Sequence, residues 1–119
     1  MQEFVWISGK TEAASSVLSV ENPFSGEIVG VSGLASAQQL EKAIAASVLQ
    51  AKSAKVLSTW QRHDILRTVS QNIQKKFDLF AETICKEAGK PISLAKTEVN
   101  RAIMTFSLAA DEVRSERGE

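Results

Sequence analysis

TICKEAGKPI, residues 83–92, decides how the helical part of this chain is read. It holds the only cysteine, Cys85, followed by a Gly89-Lys90-Pro91 that could close a phosphate loop, join two helices or border an active site. A phosphate loop needs Gly-x-x-x-x-Gly-Lys-Ser/Thr after a strand. Here position 84 is Ile, position 91 is Pro, and the preceding residues repeat at helical spacing. The stretch therefore reads as a corner. Gly89 supplies a left-handed stop to one helix, and Pro91, with its preset φ, suits the first turn of the next.

Working outward, Phe80, Ala81, Ile84, Cys85 and Ala88 share one broad face of a helix that Asp78 can restart or cap. Before it, Ser58-Thr59-Trp60-Gln61 fits a capping box, and Ile65, Leu66, Val69, Ile73 and Phe77 mark the buried stripe of another helix. Ser36-Ala37-Gln38-Gln39 repeats the capping pattern ahead of Leu40, Ala43, Ile44, Ser47, Val48 and Ala51, a first helix ending near Leu57. Beyond the corner, Ile92, Ala95, Val99, Ala102, Ile103, Phe106, Ala109, Ala110 and Val113 step by three and four to about Ser115, with Lys96, Glu98, Arg101, Glu112 and Arg114 among the polar positions. The first third has another period. Phe4-Val5-Trp6-Ile7 is rich in strand formers, residues 9–16 are small and polar, and Val17–Val20 and Ile28–Val31 flank the turn residues Asn22-Pro23-Phe24-Ser25-Gly26 as a hairpin. The expected class is mostly α, with about four amphipathic helices over 36–117 and a small antiparallel β-hairpin layer over 1–34.

Composition narrows the function. At 119 residues the chain is one ordinary domain's worth, able to bury roughly two-thirds of its unfolded surface if it folds alone. Fourteen basic and fourteen acidic side chains cancel, so no bulk field favours nucleic acid or an anionic membrane. One cysteine cannot staple the chain internally, and no secretory leader pattern opens it, so the cytoplasm is the expected location. No apolar run approaches the roughly 18 residues that span a bilayer.

The candidate reactive residues each have a plainer reading. A nucleophilic cysteine needs a helix N-terminus, a His or cations beside it. Cys85 falls near the C-terminal end of its helix, where the dipole disfavours a thiolate, and on the apolar face, so it reads as packing. His63, the only histidine, falls on a different helix. His63-Asp64 could be half of a metal site, but adjacent helix positions point in different directions and no second pair of ligands accompanies them. Glu82, Glu87, Glu98 and Asp111 read as surface charges. No Gly-x-Gly-x-x-Gly occurs, so no dinucleotide fingerprint is present.

The order of these signals resembles one family. Trp6-Ile7-Ser8-Gly9-Lys10, Val20-Glu21-Asn22-Pro23-Phe24-Ser25-Gly26-Glu27, Ala43-Ile44-Ala45, Arg62 with Ile65-Leu66-Arg67, Glu87-Ala88-Gly89-Lys90-Pro91 and Glu98-Val99-Asn100-Arg101 together resemble the N-terminal segment of the NAD(P)-dependent aldehyde dehydrogenase superfamily. Each is short, but they come in order over nearly the whole chain. The resemblance implies that residues 1–119 are an incomplete part of an α/β cofactor-binding domain. It also implies that the complete enzyme oxidises an aldehyde to a carboxylic acid with NAD or NADP, through a cysteine thiohemiacetal. The family's catalytic cysteine, general-base glutamate, oxyanion-hole asparagine and dinucleotide-binding sheet then lie in later sequence. No catalytic, cofactor-binding or metal residue is expected within this chain acting alone.

Two positions carry an implied role in the complete enzyme only. Arg101 resembles a helix position facing the substrate entrance, where a guanidinium could hold an anionic aldehyde; a solvent-facing helix arginine is the alternative. Glu87 resembles a position that, in some members, helps bind a monovalent structural cation. The implied partner is the remainder of the fold, and apolar surface left for it would drive self-association. A free-standing helical interaction module with no enzyme activity is the rival expectation.

Overall fold

The structure, a computed structural model, describes residues 4–54 and 57–115. Its elements run β1 (Phe4–Ile7), β2 (Lys10–Ala13), β3 (Ser16–Glu21), β4 (Ile28–Leu34), α1 (Ala37–Ala54), α2 (Thr59–Lys75), α3 (Phe77–Ala88) and α4 (Ile92–Ser115). They fall into two compact units, the strands with α1 and the three later helices. The mostly helical class with small antiparallel strand pairs is as expected. Residues 55 and 56, close to the expected end of the first helix, and 116–117 at the end of the expected helical region lie outside the described residues.

In the first unit β1 and β2 pair antiparallel, from Phe4 opposite Ala13 to Ile7 opposite Lys10. Ser8 and Gly9 join them at φ 53° and 75°. Positive φ at both central residues is what a two-residue I′ turn requires, and its twist matches that of the strands. This corrects the reading of residues 9–16 as merely small and polar: Lys10-Thr11-Glu12-Ala13 has no strand-like composition of its own and takes its register from the turn. β3 and β4 pair from Ser16 opposite Leu34 to Val20 opposite Gly30, with a register shift between Val20 and Glu21. Their turn closes on Asn22, whose Oδ1 accepts from the backbone N–H groups of Phe24 (2.9 Å) and Ser25 (3.1 Å), with Gly26 at φ 73°.

The hairpins meet through backbone. A Cβ built on Gly33 of β4 would lie 2.8 Å from the Phe4 carbonyl oxygen and 2.8 Å from Ala14 Cβ, an approach only glycine permits. α1 is tied to β2. The expected capping box is present: Gln39 N–H donates to Ser36 Oγ (3.2 Å) and Ser36 N–H to Gln39 Oε1 (3.0 Å). Gln39 Nε2 then donates to the Ala13 carbonyl at 2.9 Å, and Lys42 pairs with Glu12. Ile7 is the one buried hydrophobic residue among those described in this unit.

The second unit has a packed centre. Ala81 of α3 and Ala95 and Val99 of α4 form a buried cluster, with Ile73, Phe77, Ile84, Cys85 and Ile103 packed on it. Alanines at the contact let helix axes approach closely, so the cluster is small-sided and dense. α2 and α4 are also joined by polar contacts: Ser70 Oγ donates to the Ile103 carbonyl (2.9 Å) and Arg67 Nη1 to Ser107 Oγ (2.5 Å). Ser70 is itself buried, and its bond removes the desolvation cost of an unpaired hydroxyl. Ser58 caps α2 with the expected capping box.

The junction of α2 and α3 differs from expectation. α2 ends at Lys75, Lys76 serves both as its C-cap and as the N-cap of α3, and no side chain caps α3. Phe77 is therefore the first residue of α3 rather than the last of the α2 stripe, and Asp78 lies inside the first turn of α3 instead of capping it. Its carboxylate is 3.6 Å from Lys96 Nζ of α4. The apolar face of α3 is also narrower than expected, since Ala88 and Phe80 are exposed.

Candidate functional site

The corner at residues 83–92 is where the sequence concentrates its candidates, and the structure assigns each a place. α3 ends on Gly89, which adopts φ 62°, ψ 21°. Pro91 stands immediately before α4, its carbonyl accepting from Leu94 N–H (3.0 Å) and Ala95 N–H (3.1 Å). The chain thus stops and restarts within three residues. Lys90 reaches forward to pair with Glu98, two turns into α4. Both partners are about two-fifths exposed, so the pair orients the corner more than it stabilises it.

Glu98 is accordingly not the plain surface charge the sequence suggested. It is half-buried and borders a concavity of about 140 Å³ lined otherwise by Ile73, Phe80, Ile84, Val99 and Ala102. That volume is below the range of roughly 300–1,000 Å³ typical of ligand pockets, and the one carboxylate at its edge is already engaged by Lys90. Glu82, Glu87 and Asp111 are exposed, and so is Arg101 on α4.

Cys85 is half-buried and packs against the cluster of Ala81, Ala95 and Val99. Packing on apolar side chains is how a free cysteine acting as a small hydrophobe behaves. His63 is engaged elsewhere. Its ring stacks on Trp60, centroids 5.3 Å apart, while the Arg114 guanidinium lies 5.7 Å from the Trp60 ring. Contrary to the expectation that adjacent helix positions diverge, His63 Nδ1 and Asp64 Oδ1 approach to 3.2 Å. Among the described residues no group of three His, Cys, Asp or Glu side chains is placed to hold a metal ion, and no helix is long and apolar enough to cross a membrane.

A larger concavity in the first unit, about 620 Å³, is bordered by Glu12, Ser15, Ser36, Gln38 and Lys42. Its principal groups are already used: Lys42 by Glu12, Ser36 by the α1 capping box. Nor do the residues present fit a dinucleotide. Such a site needs a parallel strand running through a glycine-rich turn into a helix N-terminus, whereas both described sheets are antiparallel pairs.

Comparison with known proteins explains this arrangement. The model of the Aldehyde dehydrogenase family matches residues 6–119. A lactaldehyde dehydrogenase of Methanocaldococcus jannaschii is 33% identical over 102 residues, which are 86% of this chain and 22% of that protein. Aspartate-semialdehyde dehydrogenase 1 of Pseudomonas canavaninivorans is 32% identical over the same shares. Among solved structures, aldehyde dehydrogenase 21 of Physcomitrella patens, in complex with the reaction product succinate, superposes with a TM-score of 0.93 at 28% identity, covering 98% of this chain and 24% of its own. Glyceraldehyde-3-phosphate dehydrogenase of M. jannaschii, complexed with NADP, superposes at 0.81 with 33% identity over 86% of this chain and 22% of its own. The chain thus spans between a fifth and a quarter of the length of these relatives and matches their N-terminal portion.

Proposed function

The chain belongs to the aldehyde dehydrogenase family, and on that premise we propose that residues 1–119 act as the N-terminal scaffold of an NAD(P)-linked enzyme that oxidises an aldehyde to a carboxylic acid. Residues 1–34 contribute the hairpin layer and 36–117 the helices, in the cytoplasm. The chain alone is not catalytic. The family reaction needs a thiolate, a base, oxyanion donors and a cofactor fold, and Cys85, half-buried against an apolar cluster, replaces none of them.

The observation that carries this reading is the unspent apolar surface. No large side chain is fully buried among the described residues. Leu40, Ile44, Val48 and Leu49 of α1 are all exposed, Leu49 at 67%; Met104 and Leu108, one turn apart on α4, are exposed at 61% and 63%. Helices with such faces are built to be covered. In the complete enzyme the remainder of the fold covers them; without it the chain associates with itself. Arg101, exposed on α4, is the residue we assign to an anionic substrate in that enzyme, a role compatible with the succinate bound by the solved relative. Glu87, exposed near the end of α3, is assigned to a monovalent cation on the same terms.

The rival reading, a helical interaction module, draws support from the second unit, which has a small buried cluster and a polar tie between α2 and α4. Incubation with NAD or NADP and a panel of aldehydes, followed by absorbance of the reduced nicotinamide, tests the catalytic half of the proposal. No turnover is expected from this chain, and turnover persisting in Cys85→Ser would mean that a site elsewhere in it had been misread.

A further inference from the structure

We infer that the outer edge of β3 is the surface through which two copies of this chain pair, adding strand to strand about a twofold axis perpendicular to the sheet. The inference rests on the self-association proposed above and locates it at exposed Val17 and Leu18 of β3 rather than on the helix faces, which are left to the remainder of the fold.

A strand edge carries a row of unpaired N–H and C=O groups, and proteins blunt such edges with charge, proline or a covering element. In the first unit the edges differ in this respect. β4 is the strand that meets the first hairpin, its Gly33 pressed against the Phe4 carbonyl. β2 carries Lys10 and Glu12, its Ala13 carbonyl is taken by Gln39 of α1, and Glu12 is held by Lys42. Among the described residues β3 pairs only with β4. Its residues Ser16 to Ser19 are all exposed, and from Ser16 to Val20 it has neither a charge nor a proline.

The sequence of β3 also complements itself. Antiparallel strands related by such an axis keep each residue on its own face, so facing positions share parity. Centred on Leu18, the pairing sets Leu18 against Leu18 of the second copy and Val17 against Ser19. The only charged residue of the strand, Glu21, comes opposite Ser15. No like charges oppose, and Leu18 and Val20 from both copies line one face. A two-stranded hairpin is marginal in water, and a four-stranded sheet relieves that.

Two variants test this in the complete 119-residue chain. In a Cys85→Ser background, Leu18→Cys is expected to form an intermolecular disulfide under mild oxidation, since directly facing strand positions lie within disulfide reach, while Leu49→Cys on equally exposed α1 is not. Leu18→Lys is expected to weaken the dimer at least about tenfold by opposing like charges, as read by sedimentation, with Leu49→Lys leaving it unchanged; circular dichroism establishes that each variant is folded. Association that Leu49→Lys disrupts and Leu18→Lys does not would overturn the β3 surface while leaving self-association standing. A wild-type chain that stays monomeric would overturn both.

Discussion

The two units divide similar raw material differently. The second gathers Ala81, Ala95 and Val99 into a buried cluster, with larger side chains against it and polar ties between α2 and α4. Among the described residues the first buries one hydrophobic residue, Ile7, and relies on turns, a capping box, a backbone contact at Gly33 and an ion pair. Apolar residues are plentiful in both. Among the described residues only the second gathers them into a buried cluster, so amphipathic spacing specifies a face but not what will cover it.

That contrast is measurable, because Trp6 lies in the first unit and Trp60 in the second. Trp6→Phe and Trp60→Phe single-tryptophan backgrounds report on the units separately. The largest effect is expected from Val99→Asp, which places an unpaired carboxylate in the cluster and should cost about 4 kcal/mol or more; loss of the helical signal on denaturant titration checks it. An unaltered Trp60 transition would mean that the cluster does not hold the second unit together.

Gly33→Ala should follow, at about 2 kcal/mol, because the new methyl meets backbone at Phe4 rather than a side chain able to move. It should appear in the Trp6 transition. Lys90→Met should be smallest, at about 0.5 kcal/mol, because both members of the Lys90–Glu98 pair are substantially exposed. High salt should erase that difference.

Much of this was legible in the sequence, for physical reasons that also mark the boundary. Capping boxes at Ser36 and Ser58 and the stop at Gly89 are local chemistry, so they could be read locally. The helices followed from period, although Ile65 of the expected buried α2 stripe is exposed, and the packing of Cys85 followed from its helix end and face together. β2 was hidden because its register comes from the Ser8-Gly9 turn and not from its own polar residues. The break at Lys76 was hidden because no glycine, proline or capping side chain announces it. At the candidate site, the Lys90–Glu98 pair joins two motifs that the sequence showed only as separate matches. The contact of His63 with Asp64 depends on side-chain rotamers that spacing cannot supply.

On the proposed function, this chain presents apolar faces that the rest of an aldehyde dehydrogenase covers. Sedimentation of the purified chain over a range of concentrations, run with a thermal melt, tests this most directly. The predicted result is concentration-dependent association with a broad transition; a sharply melting chain that stays monomeric at every concentration would contradict it.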